Sequence, residues 1–267
     1  MSLGIYNGAN SNLPVGVYTG TNVGAVGGIQ NNNDYELKLV TSSLVMNYDA
    51  SNRVSHFGDA NTRIWNDLSG GNNIATITSN LGYSSLYNGG VTFPGVSPNG
   101  VNTNPSTAAN FQENFTAQVT AMVSSFAANR SLMCGFLFGA LQIRTTTGGA
   151  IQLVRSLVAN IGNTAGSVVA LNRPFIVAVT KNQTAPTTWS YTIFLNGVAI
   201  TTVTHGVNLT ATSPMLGRNG NGINNSVVDV LIGSIYSFQF YNRTLTSSEI
   251  YQNYLLLRQR FRPTFLI

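Results

Sequence analysis

From about residue 39 onward, apolar and polar positions alternate with a period of two over short runs. These runs are rich in β-branched and aromatic residues, the pattern of half-buried strands. In Ala117-Gln118-Val119-Thr120-Ala121-Met122-Val123 the odd positions are apolar and the even ones mixed. Phe175 to Thr180 is apolar up to Val179 and reads as a strand buried on both faces. Tyr191–Leu195, Ala199–Thr204, Val227–Ile232 and Ile235–Tyr241 extend the set. In the last of these, Tyr236, Phe238 and Phe240 are expected on one face, with Ser237 and Gln239 on the other. Asn196-Gly197 stands between two such runs and tolerates the positive φ that a two-residue hairpin demands. One helix is signalled near the C-terminus. Thr246 and Glu249 have capping-box spacing, Leu245 and Ile250 make a hydrophobic staple, and the helix is expected to run to about Arg260. Arg258 and Arg260 would then sit in its last turn, where cations suit the helix dipole. Many short strands with one terminal helix predict an all-β fold, an antiparallel β-sandwich of the jelly-roll kind.

The first 38 residues differ. They are rich in Gly and Asn, and their short apolar pieces are too broken by Gly to build a core. They read as an extended N-terminal arm that becomes ordered on a partner, ahead of a domain over residues 39–262 and a tail over 263–267.

Composition sharpens the picture. Only 8% of the 267 residues are charged, against 33 Asn. Polar neutral groups satisfy backbone at an interface without the desolvation cost of burying charge. The net charge of +5 is spread thinly, and only Arg258, Arg260 and Arg262 lie close together. Nucleic-acid binding, which needs clustered cations, is not expected. The single cysteine, Cys134, leaves no intramolecular disulfide. No apolar run approaches the ~20 residues of a membrane span, so no membrane insertion is expected. The start of the chain also lacks the basic and apolar regions of a signal peptide.

Several segments, in order, resemble the concanavalin A-like, laminin-G-like jelly-roll family. Leu44-Val45-Met46-Asn47-Tyr48-Asp49-Ala50 looks like the family's opening strand. Trp65-Asn66-Asp67-Leu68-Ser69-Gly70-Gly71-Asn72-Asn73 is similar to its Trp-x-Asp-Leu-Ser-Gly-x-Gly-Asn turn, with Asn72 where that pattern has Gly. Phe194-Leu195-Asn196-Gly197, Leu216-Gly217-Arg218 and the stretch from Gly233 to Ile250 resemble its hairpin, the strand start after it, and its closing strand with helix cap. The resemblance implies a concanavalin A-like sandwich with Trp65 against the sheet and Tyr241 filling the corner before the helix. Because such folds serve lectins, glucanases, adhesion modules and virion proteins alike, it leaves function open.

Chemistry is sparse. The eight acids are scattered and make no Glu-x-Asp-x-x-Glu strand, so the paired carboxylates of glycoside hydrolysis are not expected. His56 and His205 stand alone and read as surface or loop histidines. The chain is therefore expected not to be an enzyme. The resembled family often binds Ca²⁺ through loop oxygens, and Asp49, Asp59 and Asp67 are the candidate ligands, with turn capping as the competing role. Trp189, after a polar loop, is the candidate sugar-stacking ring, with a core position as its competing role. Two functions follow as expectations. One is a non-enzymatic structural component of a virus or phage particle, docked by its arm on other particle proteins and on copies of itself. The other is a carbohydrate-binding or adhesion module that recognises surface glycans, at a virion or an extracellular surface.

Overall fold

The computed structural model describes residues 38–261 except 79, 97–99, 104–113, 136–139, 156–158, 210–212 and 220–228. The expected arm over residues 1–38, apart from Lys38, and the tail over residues 263–267 lie outside the described residues, as do Val227 and Val228.

Two eight-stranded antiparallel sheets form a sandwich. The first runs β14 (Val198–His205), β13 (Thr188–Leu195), β12 (Phe175–Ala185), β7 (Phe115–Val123), β16 (Ile232–Tyr241), β5 (Gly90–Pro94) and β4 (Gly82–Ser84). Its eighth member, β1 (Leu44–Asp49), pairs with the C-terminal half of β16. The second runs β11 (Ala159–Asn163), β10 (Ile151–Arg155), β9 (Leu141–Thr145), β8 (Arg130–Cys134), β15 (Met215–Leu216), β6 (Val101–Thr103), β3 (Ala75–Ile77) and β2 (Ile64–Trp65).

The period-two pattern points alternate residues between the sheets. Ala117, Val119, Ala121 and Val123 of β7 face Leu141, Ile143, Ile151 and Leu153 of the second sheet in one buried cluster. Each large side chain fully buried there contributes about 1.5–3 kcal/mol. The Asn196-Gly197 hairpin forms as expected, with φ of 50° and 81° at its two residues, the signs a type I′ turn requires.

The reverse face of the first sheet is covered by the helix α1 (Ser247–Leu257). Its capping box is formed: the Thr246 side chain accepts from the Glu249 amide and Glu249 accepts from the Thr246 amide. Ile250, Asn253 and Leu257 make the buried stripe. Ile250 and Leu245 pack with Val40, Ala178, Phe194 and Tyr241 in a second cluster. Asn253 pins this cluster by accepting from the Val40 amide at 2.9 Å and donating to the Tyr241 hydroxyl at 2.9 Å.

Three expectations are corrected. Of the strand expected over Val227–Ile232, the described residues 229–231 are not in a strand, because Asp229 adopts φ of 67° and interrupts the extended run, and β16 starts at Ile232. Tyr236 does not share a face with Phe238 and Phe240. A bulge between Ile235 and Ser237 inserts Tyr236 as an extra residue, so Ile235 takes the core position. Tyr236 instead meets Tyr87 and Phe261, at 5.8 and 5.1 Å between ring centroids. The α-helix ends at Leu257 and tightens into a 3₁₀ turn over Arg258–Phe261. Arg260 there serves a tertiary contact rather than the dipole. It donates to Asp49 Oδ1 at 2.8 Å and to the Gly89 carbonyl at 2.7 Å.

Candidate functional site

Residues 50–63 join β1 to β2 at one end of the sandwich. Two neighbours in this loop turn inward and two turn outward. Ser55 is fully buried, and its Oγ accepts from the Asp49 amide and donates to the Asn66 carbonyl. His56, expected at the surface, is buried. Its ring stacks on Tyr83 at 5.1 Å and meets the edge of Trp65 at 6.2 Å. Burial holds its pKa below the ordinary value, with Asp59 opposing the shift. The amides of Ser55 and His56 both donate to the Asn52 carbonyl, and Asn52 Oδ1 accepts from the Val54 amide. Asn66 Nδ2 donates to the Val54 carbonyl, and Arg53 Nη1 to the Phe57 carbonyl.

These tethers leave Val54 at 72% and Phe57 at 64% exposure. The chain then reverses at Gly58, whose φ is +78°. The positive φ is what calls for glycine here, since the Arg53 guanidinium that a Cβ would meet is the end of a flexible side chain and can move aside. Asp59 Oδ1 accepts from the amides of Asn61 and Thr62, which hold this exposed carboxyl below its usual range. The loop thus exposes an apolar ring in a stretch that also carries the Arg53 guanidinium and the Asp59 carboxylate, on a backbone tied down by its own hydrogen bonds. A flat apolar face with hydrogen-bonding groups at its rim suits a ligand that is apolar on one side and hydroxylated at its edge.

The sequence-predicted acids lie in and beside this loop without converging. Asp67 Oδ1 accepts from the amides of Asn47 and Ser69, both at 2.8 Å. Its Oδ2 meets Ser69 Oγ at 2.7 Å and Asn73 Nδ2 at 3.0 Å. Asp49 Oδ1 accepts from the Ser51 amide and from Arg260. Among the described residues no three His, Cys, Asp or Glu side chains gather as a metal site would require. Asp59 and Asp67 accept from the backbone of their own turns, and Asp49 Oδ1 is shared between the Ser51 amide and the distant Arg260.

Trp65 is buried against Tyr48, with ring centroids 5.8 Å apart. The Tyr48 hydroxyl donates to the Asn73 carbonyl at 2.7 Å, and burial together with the Asp67 charge pushes its pKa up. Trp189, the expected stacking ring, occupies an inward position of β13 and is only 9% exposed, so it is not offered to solvent. The ring that the β1–β2 loop exposes is Phe57, which the sequence alone did not single out. Its signal was a lone aromatic among turn formers, with no period-two neighbour to carry it into a strand. A second polar group, Arg144 with Asp229, Gln142 and Gln152 on the second sheet, is turned on itself. Arg144 reaches Asp229 at 2.6 Å and Gln152 at 2.7 Å, and Gln142 reaches Asp229 at 3.3 Å.

No protein-family model matches the chain. No curated protein sequence matches it either. Solved structures do. A Trypanosoma rangeli sialidase in complex with the inhibitor DANA superposes with a TM-score of 0.59 at 19% identity, covering 81% of this chain and 33% of the sialidase. The receptor binding domain of botulinum neurotoxin type G gives 0.57 at 12% identity, covering 80% of this chain and 51% of that one. The binding domain of botulinum neurotoxin serotype D gives 0.60 at 13%, covering 81% and 52%. The chain thus spans about a third of the sialidase and half of the neurotoxin domains. At these identities the likeness speaks to the fold, a β-sandwich of the jelly-roll kind. It also corrects the expectation that the chain is not an enzyme: sialidases are enzymes, and their chains carry this sandwich, which non-enzymatic domains share. Among the described residues no helix is long and apolar enough to cross a membrane.

Proposed function

We propose that the chain is a lectin-like module of the concanavalin A-like kind that recognises glycans through its β1–β2 loop. One observation carries this reading: Phe57 is held out at 64% exposure by a loop whose Ser55 and His56 are locked into the protein. An aromatic ring exposed at the cost of its own hydrophobic burial, on a backbone already ordered, is what a stacking platform needs. The apolar face of a sugar ring would lie on Phe57 and Val54. Its hydroxyls would reach the Arg53 guanidinium, the Asp59 carboxylate and the Asn61 amide at the rim.

The structural neighbours support a recognition role. Two of them are named as a receptor binding domain and a binding domain of a neurotoxin, and one sialidase structure holds sialic acid. The particle-component reading draws no comparable support.

The test is a glycan array probed with the full chain and with Phe57→Ala, each with and without a calcium chelator. Binding of the wild type to at least one glycan class, weakened about tenfold or more (~1.4 kcal/mol) in the variant while its melting temperature is unchanged, is the expected result. A wild-type chain that binds no glycan in either condition overturns the function. Binding indifferent to Phe57→Ala overturns the site.

A further inference from the structure

The β14 strand stands at the end of the first sheet, and among the described residues β13 is the one strand hydrogen-bonded to it. It reads Val-Ala-Ile-Thr-Thr-Val-Thr-His: eight residues, no proline and no fixed charge. At ~3.3 Å per residue it is an edge about 26 Å long, with every second N–H and C=O turned away from β13. Natural edges are ordinarily blunted by lysine, proline, shortness or a covering segment. The other sheet ends among the described residues are shorter: β4 has three residues, β11 five and β2 two. The six-residue β1 is sealed on its free side by the turn after β2. There the Leu68 amide donates to the Asn47 carbonyl, and Asn73 Nδ2 to the Val45 carbonyl. The β14 edge has only one irregularity, a bulge at Ile200 opposite the Ile193–Phe194 step.

A second observation falls on the same corner. Val198 is 57% exposed and Ile200 42%, both on this strand. Tyr251, 46% exposed on α1, abuts the hairpin that leads into it: a Cβ at Gly197 would lie 3.0 Å from the Tyr251 ring. An edge that no other described strand pairs is therefore flanked by exposed apolar and aromatic groups.

We propose that the β14 edge is an interface between two copies of this chain, joined antiparallel about a two-fold axis so that their first sheets become one. The edge calls for a partner strand of like length that brings no charge, and among the described residues β14 is itself the longest free strand. An antiparallel pair of identical strands is matched in length by construction, and it sets no like charges opposite one another. The Thr192–Thr202 side-chain pair, whose hydroxyls lie 2.9 Å apart, begins a threonine row that the partner's Thr202 and Thr204 would continue. The axis also brings the Val198 end of each strand, with its Tyr251, beside the far end of the other. A strand edge alone buries less than the ~1,000 Å² of a stable interface, so the exposed Val198, Ile200 and Tyr251 must be buried with it.

The experiment is light scattering coupled to gel filtration on the full chain over a hundredfold range of concentration, with Thr202→Lys/Thr204→Lys as the variant. A wild-type dimer and a variant at least tenfold weaker in association, with the melting temperature of its monomer unchanged, is the expected result. A wild type that stays monomeric throughout overturns the proposal, as does a dimer insensitive to the two lysines. Should the variant not fold, hydrogen exchange on the wild type decides instead. Amides of β14 that slow as the dimer forms support the interface, and amides that exchange at one rate at every concentration overturn it. Neither readout uses a glycan, so this result and that for Phe57 are independent.

Discussion

Replacing Asp67 by alanine removes the acceptor around which the turn after β2 is built. Five hydrogen bonds end on this carboxylate, from the Asn47, Ser69 and Asn73 amides, Ser69 Oγ and Asn73 Nδ2. They are not equal in worth. Ser69 is half-buried and its groups can turn to water or to the Val45 carbonyl, 2.8 Å from its hydroxyl. Asn73 is 1% exposed and the Asn47 amide lies on β1 facing the turn, so each gives up a sheltered bond to the carboxylate, although Asn73 Nδ2 keeps the Val45 carbonyl at 2.7 Å. Two sheltered donors, each losing a charge-assisted bond at about 1.5–2 kcal/mol, give a cost of about 3–4 kcal/mol. For a domain of this size that is a fall in melting temperature of roughly 6–16 °C. The assay is urea denaturation of wild type, Asp67→Ala and Asp67→Asn. The asparagine keeps one acceptor oxygen and is expected to lose about half as much. The midpoint should move while the slope against urea stays fixed. Because the same carboxylate is the candidate Ca²⁺ ligand, the melts are repeated with calcium and with chelator, and wild type should melt alike in both. A loss below about 1 kcal/mol in Asp67→Ala would refute the capping argument. So would a calcium-dependent rise in melting temperature that the substitution abolishes.

The remaining predictions concern the helix and one glycine. Arg243 beside Glu249 holds its carboxyl at about 2, against an ordinary 4.5. A depressed carboxyl stabilises the fold above its unfolded value, so this contribution should be intact above pH 4.5 and fade as pH falls toward 2. Glu249→Gln should flatten that part of the acid denaturation profile followed by circular dichroism. Thr246→Ala removes the cap itself and should cost about 1 kcal/mol in the same denaturation assay. Gly217 has φ of +74°, and a Cβ there would lie 2.0 Å from the buried Phe93 ring. Gly217→Ala should therefore cost about 3 kcal/mol or more, read as a large drop in soluble yield and melting temperature.

Much of this protein was legible one residue at a time. A period of two, an Asn-Gly pair and a Thr-x-x-Glu box depend on backbone geometry within a few positions, so the hairpin at Asn196 and the start of α1 follow from the order of residues alone. The sandwich class follows with them, since strands with one apolar face must close against another sheet. Even Asp67 was readable as a turn residue, because its partners Ser69 and Asn73 are two and six positions away.

What stayed hidden depends on partners distant in the chain. Whether Trp189 lies in the core or in solvent depends on which side of β13 meets the second sheet, and a pattern of alternation cannot choose its own inside. Tyr236 left its face because a bulge against β7, more than a hundred residues away in sequence, shifted the register by one. Arg260 found Asp49 and Gly89 across the molecule instead of serving its own helix. Phe57 is exposed for the same kind of reason. Its neighbours Ser55 and His56 spend themselves on Asn66, Tyr83 and Trp65, contacts that exist only once β1, β2 and β4 are in place. Local preferences extend over a turn or a strand. Burial is a property of the whole packed set, and it places the candidate site.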